Sequence, residues 1–426
     1  MSPASSGQPR PAVAYAHWLD SLTRAGWNAG PTAEQVPVAD ALGRVTGGPV
    51  VARWPSPRSD CSAMDGIAVR AARLAAADGD VVRLPAGAFA WIDTGDPMPA
   101  DADTVVMGEW VLPLDDGSVT ITPAVPRGAN VRLVGEDFAT GEVLVPAGRR
   151  LRPGDLAAAA AGGHASLPVA RQPAVAIIPT GDEIRPVGAA LRRGDIIDTN
   201  SVMLAARCRL LGAVPLISAV VPDDPDALAA ELRRAAAEAD LVLVIAGSSR
   251  GRGDHAAAVL AQVGGVAVAG VAARPGHPAL LGHAKRPDAS HGHAGPGQAG
   301  APPRSGHRSG VAPVIGLPGY PLATAVIFEL FATPMLGVLT GQAPAAERVR
   351  ARLDRDWSSP AGVEDWVLVT IGPAGPDGLP SATPARRGAG SISQLARADA
   401  WWPIPAGQGD VPAGAAIEVL PIRLTS

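Results

Sequence analysis

Between residues 174 and 341, apolar runs of strand length alternate with helical patterns. Residues 175–178, 214–220, 241–246, 266–271 and 314–315 predict strands. Residues 200–211, a stretch opening at Pro225, residues 255–263 and a long stretch from Leu322 predict helices. Asn200 is the expected N-cap of the first helix, and Asp224 with Pro225 the expected cap and first residue of the second. Asp254 should begin the third, and Pro334 should kink or break the last. Strands alternating with helices imply a parallel-rich sheet covered on both faces. Such a three-layer α/β domain binds its ligands at the carboxyl ends of its strands.

The rest of the chain has a different rhythm. Residues 12–25 carry a helical pattern with Val13, Ala16, Trp18, Leu19 and Leu22 on its apolar face. Residues 50–138 hold short strand-like runs separated by Gly, Pro and Asp turns, which predicts a small β-rich domain. An alanine-rich helix at 156–161 is expected to pack on the first helix, so that 11–49 and 139–172 form one linking, dimerisation domain. After residue 341 the alternation stops. Runs at 349–353, 366–370, 392–395 and 417–422 read as strands of a C-terminal β-barrel, 345–426. The fold class is therefore α/β plus β, multidomain, with 173–341 as the α/β domain. Residues 283–310 are poor in aliphatic bulk and rich in Gly, Pro, Ala and Ser, as expected of a flexible surface insertion. The irregular spacing of His283, His291, His293 and His307 favours a solvated loop over a metal site.

Composition narrows the function classes. Hydrophobic residues make up 47% and charged residues 18%, enough to bury real cores. A net charge of −4 with no long basic face argues against nucleic acid as the main partner. The two cysteines, Cys61 and Cys208, lie far apart and suggest a reduced protein without a disulfide framework. The first ten residues are polar and lack the apolar segment of a signal peptide. No uncharged apolar run reaches membrane-spanning length. The expected compartment is the cytoplasm, with no membrane partner.

The chemistry gathers at the strand ends. After the run 241–246 comes a loop of small residues, Gly247, Ser248, Ser249, Arg250, Gly251, Arg252 and Gly253, closed by Asp254. Strand, glycine-rich loop and helix together make an anion site from backbone N–H groups and the helix N-terminus. The arginines can fork onto phosphate or another tetrahedral oxyanion. Arg274-Pro-Gly-His277-Pro278 and Gly316-Leu-Pro318-Gly319-Tyr-Pro321 are two further candidate loops. Thr180, Gly181, Asp182 and Glu183 follow the first strand, and Asp223 and Asp224 the second. Convergent carboxylates of this kind suit Mg²⁺, although each Asp is also a good helix cap. No GxGxxG follows any strand, which argues against a nucleotide-dependent oxidoreductase.

These motifs, taken in order, resemble the molybdopterin molybdenumtransferase family, MoeA-type proteins and the related domain of gephyrin. The residues that carry the resemblance are 62–69 around Asp65, 92–99 around Thr94, Gly135 to Asp137, Thr180 to Glu183, Ile197 to Asn200, Asp223 to Pro225 and Gly316 to Pro321. The resemblance implies a MogA-like α/β domain and a Mg²⁺-dependent transferase. Molybdate would be inserted into adenylylated molybdopterin with release of AMP. It implies catalytic roles for Asp65, Thr94, Asp137 and Glu183. It places substrate or anion binding at Thr180, Gly181, Asp182, Gly247, Ser248, Ser249, Arg250, Arg274, His277, Pro318 and Gly319, and metal binding at Asp224 and Asp254. It also implies a homodimer with shared active sites. The chain departs from the family where Arg274 and His277 replace two lysines, where Arg252 replaces an acid, and where Tyr320 replaces an asparagine. These departures motivate the alternative of a non-catalytic molybdopterin-binding or regulatory relative.

Overall fold

The computed structural model describes residues 7–28, 30–74, 81–122, 125–246, 255–287, 310–342, 348–388 and 392–422. Its contacts divide it into two units, Met1–Thr32 with Ala170–Ser426, and Ala33–Val169. In the first unit, helix α1 (Pro11–Arg24) is followed by β1 (Ala174–Pro179), α2 (Asn200–Leu210), β2 (Val214–Ile217), α3 (Pro225–Glu238), β3 (Leu241–Ala246), α4 (Ala256–Val263), β4 (Gly264–Ala269), β5 (Leu280–Lys285), β6 (Val311–Pro318), α5 (Pro321–Ile327) and α6 (Thr333–Thr340). The sheet order is β2-β1-β3-β6-β5-β4. Strands β2, β1, β3 and β6 are parallel, and β5 runs antiparallel to both β6 and β4.

The central strands are buried on both faces, and their side chains alternate between two cores. Val175, Ile177, Leu241, Leu243, Ile245, Ile315 and Leu317 join one core with Leu204 of α2 and Phe331 and Met335 of the 321–340 stretch. Ala174, Ala176, Ile178, Val242, Val244 and Val314 join the other, against Leu228, Leu232, Val259 and Leu260 of α3 and α4. This is the three-layer arrangement expected from the sequence.

Several local expectations differ from what is found. Helix α1 closes the α/β core through Ala14, Trp18 and Leu22, where the linking domain had been expected to take it. Its Trp18 is fully buried and donates Nε1–H to the Gly282 carbonyl of β5 at 2.7 Å. Strand β5 occupies the start of the expected 283–310 insertion. A sequence of Leu, Gly, His, Ala and Lys carries little strand signal, and pairing with β6 and β4 on both sides fixes it. His283 is therefore a half-buried strand residue. His291, His293 and His307 lie outside the described residues. Pro334 does not end its helix. A π-helical turn, Phe328–Ala332, immediately precedes α6, and Pro334 sits in the first turn of α6, where its missing N–H is tolerated. The continuous stretch Pro321–Thr340 is long and apolar enough to cross a membrane, but more than half of it is buried inside the protein. Residues 392–397 form a helix, not a strand. The remaining C-terminal strands, Val349–Leu353, Glu364–Ala374, Pro380–Pro384, Ala400–Ile404 and Ala416–Pro421, close into a five-stranded barrel. Both cysteines are free and buried.

In the second unit, Gly66–Val69 lies between Ala90–Ile92 and Thr104–Met107. A second three-stranded sheet is formed by Val82–Leu84, Val119–Ile121 and Val111–Pro113. They share a core of Ile67, Val69, Leu84, Val106 and Ile121. A separate core gathers Ala41, Val50, Val145, Leu151, Ala159 and Leu167.

Trp18→Phe is expected to destabilise the α/β unit by roughly 2–4 kcal/mol. It opens a cavity and leaves the buried Gly282 carbonyl without its indole donor. Denaturant unfolding followed by circular dichroism measures this, and a shift below about 0.5 kcal/mol would contradict the packing role.

Candidate functional site

The carboxyl rim of the sheet is stitched by backbone and side-chain bonds that leave several polar groups facing outward. Where β1 ends, the Thr180 N–H and hydroxyl both donate to the Ile245 carbonyl of β3, at 3.1 and 2.8 Å. The Gly181 N–H donates to the Val221 carbonyl at 3.0 Å. Gly181 has a φ of +132°, and a Cβ there would lie 3.0 Å from both carboxylate oxygens of Glu183. Only glycine lets the Glu183 carboxylate fold back over this turn. Asp182 and Asp223 face each other through reciprocal contacts. The Asp223 N–H donates to Asp182 Oδ1 at 3.3 Å, and the Asp182 N–H to Asp223 Oδ2 at 3.5 Å.

Asp224 has another task. Its Oδ1 accepts the Ala227 N–H at 2.7 Å as the N-cap of α3, with Pro225 in the first turn. Asp224 is thus the helix cap through Oδ1, and the neighbouring Asp223 is the carboxylate turned toward Asp182. Asn200, by contrast, does not cap α2. Asp198 Oδ1 accepts the Ser201 N–H at 2.9 Å, and Asn200 Nδ2 reaches across to the Gly319 carbonyl at 2.7 Å. The Pro318–Gly319 turn thus sits beside β3, where a Cβ on Gly319 would lie 3.5 Å from the Ala246 carbonyl. Gly247, Ser248, Ser249, Arg250 and Asp254 lie outside the described residues.

Arg274 and His277 lie on the connection from β4 to β5. Because β5 starts opposite Gly316 of β6, this connection emerges at the same end of the sheet. Gly276 is pressed against Ile327, whose Cδ1 would be 2.6 Å from a Cβ there. Ala273 and Arg274 pair with Glu364 and Asp365 of the barrel. Arg274 and Pro275 consequently border a cavity of about 340 Å³ with Trp357, Asp365, Trp366 and Arg387. Asp365 is 2% exposed and pairs with Arg387 at 3.1 Å, while the Arg387 guanidinium lies 4.6 Å from the Trp357 ring centroid. No sequence motif marks these barrel residues. The Arg386-Arg387 doublet was the one local signal available.

In the other unit, Thr94 and Asp65 form a direct pair. The Thr94 N–H and hydroxyl both donate to Asp65 Oδ1 at 2.7 Å. The backbone bond first, and the hydroxyl second, hold the Asp65 carboxyl below its ordinary range. Gly66 beside it is obligatory, because a Cβ would lie 2.0 Å from the Val106 carbonyl. Asp137 is exposed, and its N–H donates to the Ser56 carbonyl at 2.9 Å.

Among the described residues, no three His, Cys, Asp or Glu side chains gather as a metal site. Mg²⁺ usually takes one or two carboxylates and completes its shell with water and phosphate. The Asp182 and Asp223 pair fits that smaller demand.

Family models match along the chain in succession. The MoeA N-terminal region (domain I and II) covers residues 13–163, a probable molybdopterin binding domain covers 176–337, and the MoeA C-terminal region (domain IV) covers 350–422. The molybdopterin molybdenumtransferase of Bacillus subtilis is 30% identical over 413 residues, which span 92% of this chain and 90% of that protein. The chain belongs to the molybdopterin molybdenumtransferase family. A namesake from Nostoc sp. is 32% identical over 328 residues, 72% of this chain and 70% of that protein. Among solved structures, the molybdopterin biosynthesis moeA protein from Pyrococcus horikosii superposes with a TM-score of 0.79 at 27% identity. That match covers 98% of this chain and all of the other. The family and the multidomain fold expected from the motifs are thereby established.

Thr94→Val removes one of the two donors to Asp65, so the Asp65 pKa should rise toward its ordinary value. A depressed folded-state pKa contributes stability above the unfolded-state pKa and loses it as pH falls through the folded value. The variant should lose that contribution at a higher pH than the parent. Carboxyl-carbon NMR titration of Asp65 reads the change, and identical titration curves would remove the Thr94 hydroxyl as a cause.

Proposed function

We propose that this protein is a molybdopterin molybdenumtransferase that inserts molybdate into adenylylated molybdopterin and releases AMP. Near-full-length similarity to proteins bearing that name is the observation that carries the reading. The polar rim at the ends of β1, β2, β3 and β6 supports it, because ligands of open α/β sheets bind there. In this reading Asp65, held ionised by Thr94, and Glu183, folded over Gly181, are the catalytic carboxylates, and Thr94 and Asp137 share in the catalysis. Thr180, Gly181, Asp182, Pro318 and Gly319 bind the substrate together with the 247–250 loop, and Arg274 and His277 receive anionic groups. Asp224 and Asp254 would hold Mg²⁺, with Asp182 and Asp223 as further ligands. The chemistry a bound Mg²⁺ supplies is neutralisation of phosphate charge during AMP departure.

Three companion proposals follow the same family reading: a homodimer whose sites draw residues from both subunits, a cytoplasmic location, and small-molecule pterin as the partner. We also propose that 50–138, 173–341 and 345–426 act as separate functional units. Residues 33–49 with 139–172 would form a fourth, with α1 assigned to the α/β unit.

The test is turnover. Purified protein with adenylylated molybdopterin, molybdate and Mg²⁺ is expected to release AMP and yield active cofactor, and chelation of Mg²⁺ should stop it. Glu183→Ala and Asp65→Ala should each lower turnover by roughly 10²-fold or more. The Glu183 side chain is exposed, so Glu183→Ala should leave the unfolding midpoint where it is, whereas Asp65→Ala also removes the acceptor of both Thr94 donors and should lower the midpoint slightly. Pterin binding without AMP release at saturating molybdate would instead favour a non-catalytic relative, the reading that Arg274 and His277 motivate.

A further inference from the structure

Trp91 is 60% exposed, although a tryptophan ordinarily buries most of its ring. It stands on Ala90–Ile92, the outer strand of its three-stranded sheet, directly opposite Ile67. Opposed residues of an antiparallel pair send their side chains to one face. Ile67 is fully buried on that face, and the indole lies at its open margin. Phe89, which packs on the same core, meets the indole nearly at right angles, with 6.0 Å between ring centroids. The contact holds the indole in place and leaves most of its surface free.

The register puts this ring beside the Asp65 carboxylate. The pair Ile67–Trp91 is followed by Gly66–Ile92, and next along come the two bonds from Thr94 to Asp65. Two steps of about 3.4 Å separate Trp91 from the level of Asp65, a span that an indole covers. Two further exposed apolar side chains flank the same carboxylate. Met64, 42% exposed, immediately precedes Asp65. Trp110, 37% exposed, ends the short helical turn Gly108–Trp110, which the Gly108 N–H ties to the Asp65 carbonyl at 2.9 Å. One exposed apolar residue needs no explanation, but three gathered around a fixed carboxylate do. Apolar surface that supplies contact area, with a polar group that sets orientation, is the composition of a small-molecule site.

We propose that Trp91 is a specificity-determining residue whose exposed indole stacks on a planar nitrogen heterocycle of the substrate held at Asp65. This rests on the molybdopterin transferase reading, which puts Asp65 in the site, and deepens it. The substrate carries two such rings, the pterin and the adenine. Stacking on an aromatic face tolerates either, because each has a π-face to offer. Titration separates the two.

The experiment measures steady-state AMP release by the parent protein, Trp91→Ala and Trp91→Phe. Trp91→Ala should raise KM for adenylylated molybdopterin about tenfold or more and change kcat by less than about threefold, because the indole touches no reacting atom. Trp91→Phe keeps an aromatic face, and its KM should stay within about threefold of the parent's. Calorimetric titration with pterin-6-carboxylate and with AMP then identifies the ring: the probe whose Kd weakens about tenfold in Trp91→Ala is the one that stacks. No weakening of either probe overturns the inference, and so does an unchanged KM in Trp91→Ala. Trp91→Phe falling as far as Trp91→Ala also overturns it. A lower sedimentation coefficient for Trp91→Ala would make the indole a subunit contact and overturn it likewise. Should Trp91→Ala not fold, the parent labelled with 5-fluorotryptophan decides. The fluorine resonance missing from Trp91→Phe should shift on saturation with one of the two probes, and an unmoved resonance sinks the stacking role. Absence of AMP release by the parent would defeat the transferase reading itself, whereas release with KM unmoved in Trp91→Ala defeats only the role of Trp91.

Discussion

The structure depends on one constraint above others: β1, β3 and β6 are buried on both faces. The Val, Ile and Leu side chains along these strands are committed to one of two cores, and burying each contributes about 1.5–3 kcal/mol. These three strands leave little room for polar chemistry within them. Function is displaced to the places where strands stop, and there the backbone donors and acceptors of the last residues must find partners. Thr180 and Gly181 answer that need by bonding to Ile245 and Val221. The residues after them, Asp182 and Glu183, are freed to face outward.

The same constraint explains what could be read from the chain. A strand covered on both faces is a continuous apolar run, so β1, β3 and the parallel architecture were legible. Rim residues were legible too, because polar groups following such a run have one end of the sheet to occupy. Strand β5 was not. Its Gly282 and His283 gain strand structure from two neighbours, and Gly282 has no room for a Cβ, which would lie 2.2 Å from the Gly265 carbonyl. Helix 392–397 and the destination of α1 were hidden for the same reason, since each is decided by a partner distant in sequence.

At the site, the division runs between residues that act through their own loop and residues that act through another. Asp65, Thr180 and Glu183 belong to the first kind and stand in compact motifs. Asp365, Trp357 and Arg387 belong to the second. They converge only when the barrel closes, and no local spacing announces them. Asp224 and Asp223 show how narrow the margin can be. A carboxylate followed by proline is an N-cap by local chemistry, and the structure uses Asp224 so. The residue before it points into the rim, a difference of one position that a motif cannot resolve and a helix start can.

Arg274 illustrates why substitutions at such a rim need not disturb the fold. Its segment is held from three sides without using its side chain: Ala273 and Arg274 pair by backbone with the barrel, Gly276 packs on Ile327, and the Val271 N–H donates to the His277 carbonyl. Backbone contacts and a glycine define the turn, so the side chains at 274 and 277 are chosen by what they meet outside it. A lysine presents a point charge, and an arginine presents a planar fork that suits a two-oxygen face of an anion. Exchanging one for the other therefore alters how an oxyanion is held while leaving the turn where the sheet and the barrel put it.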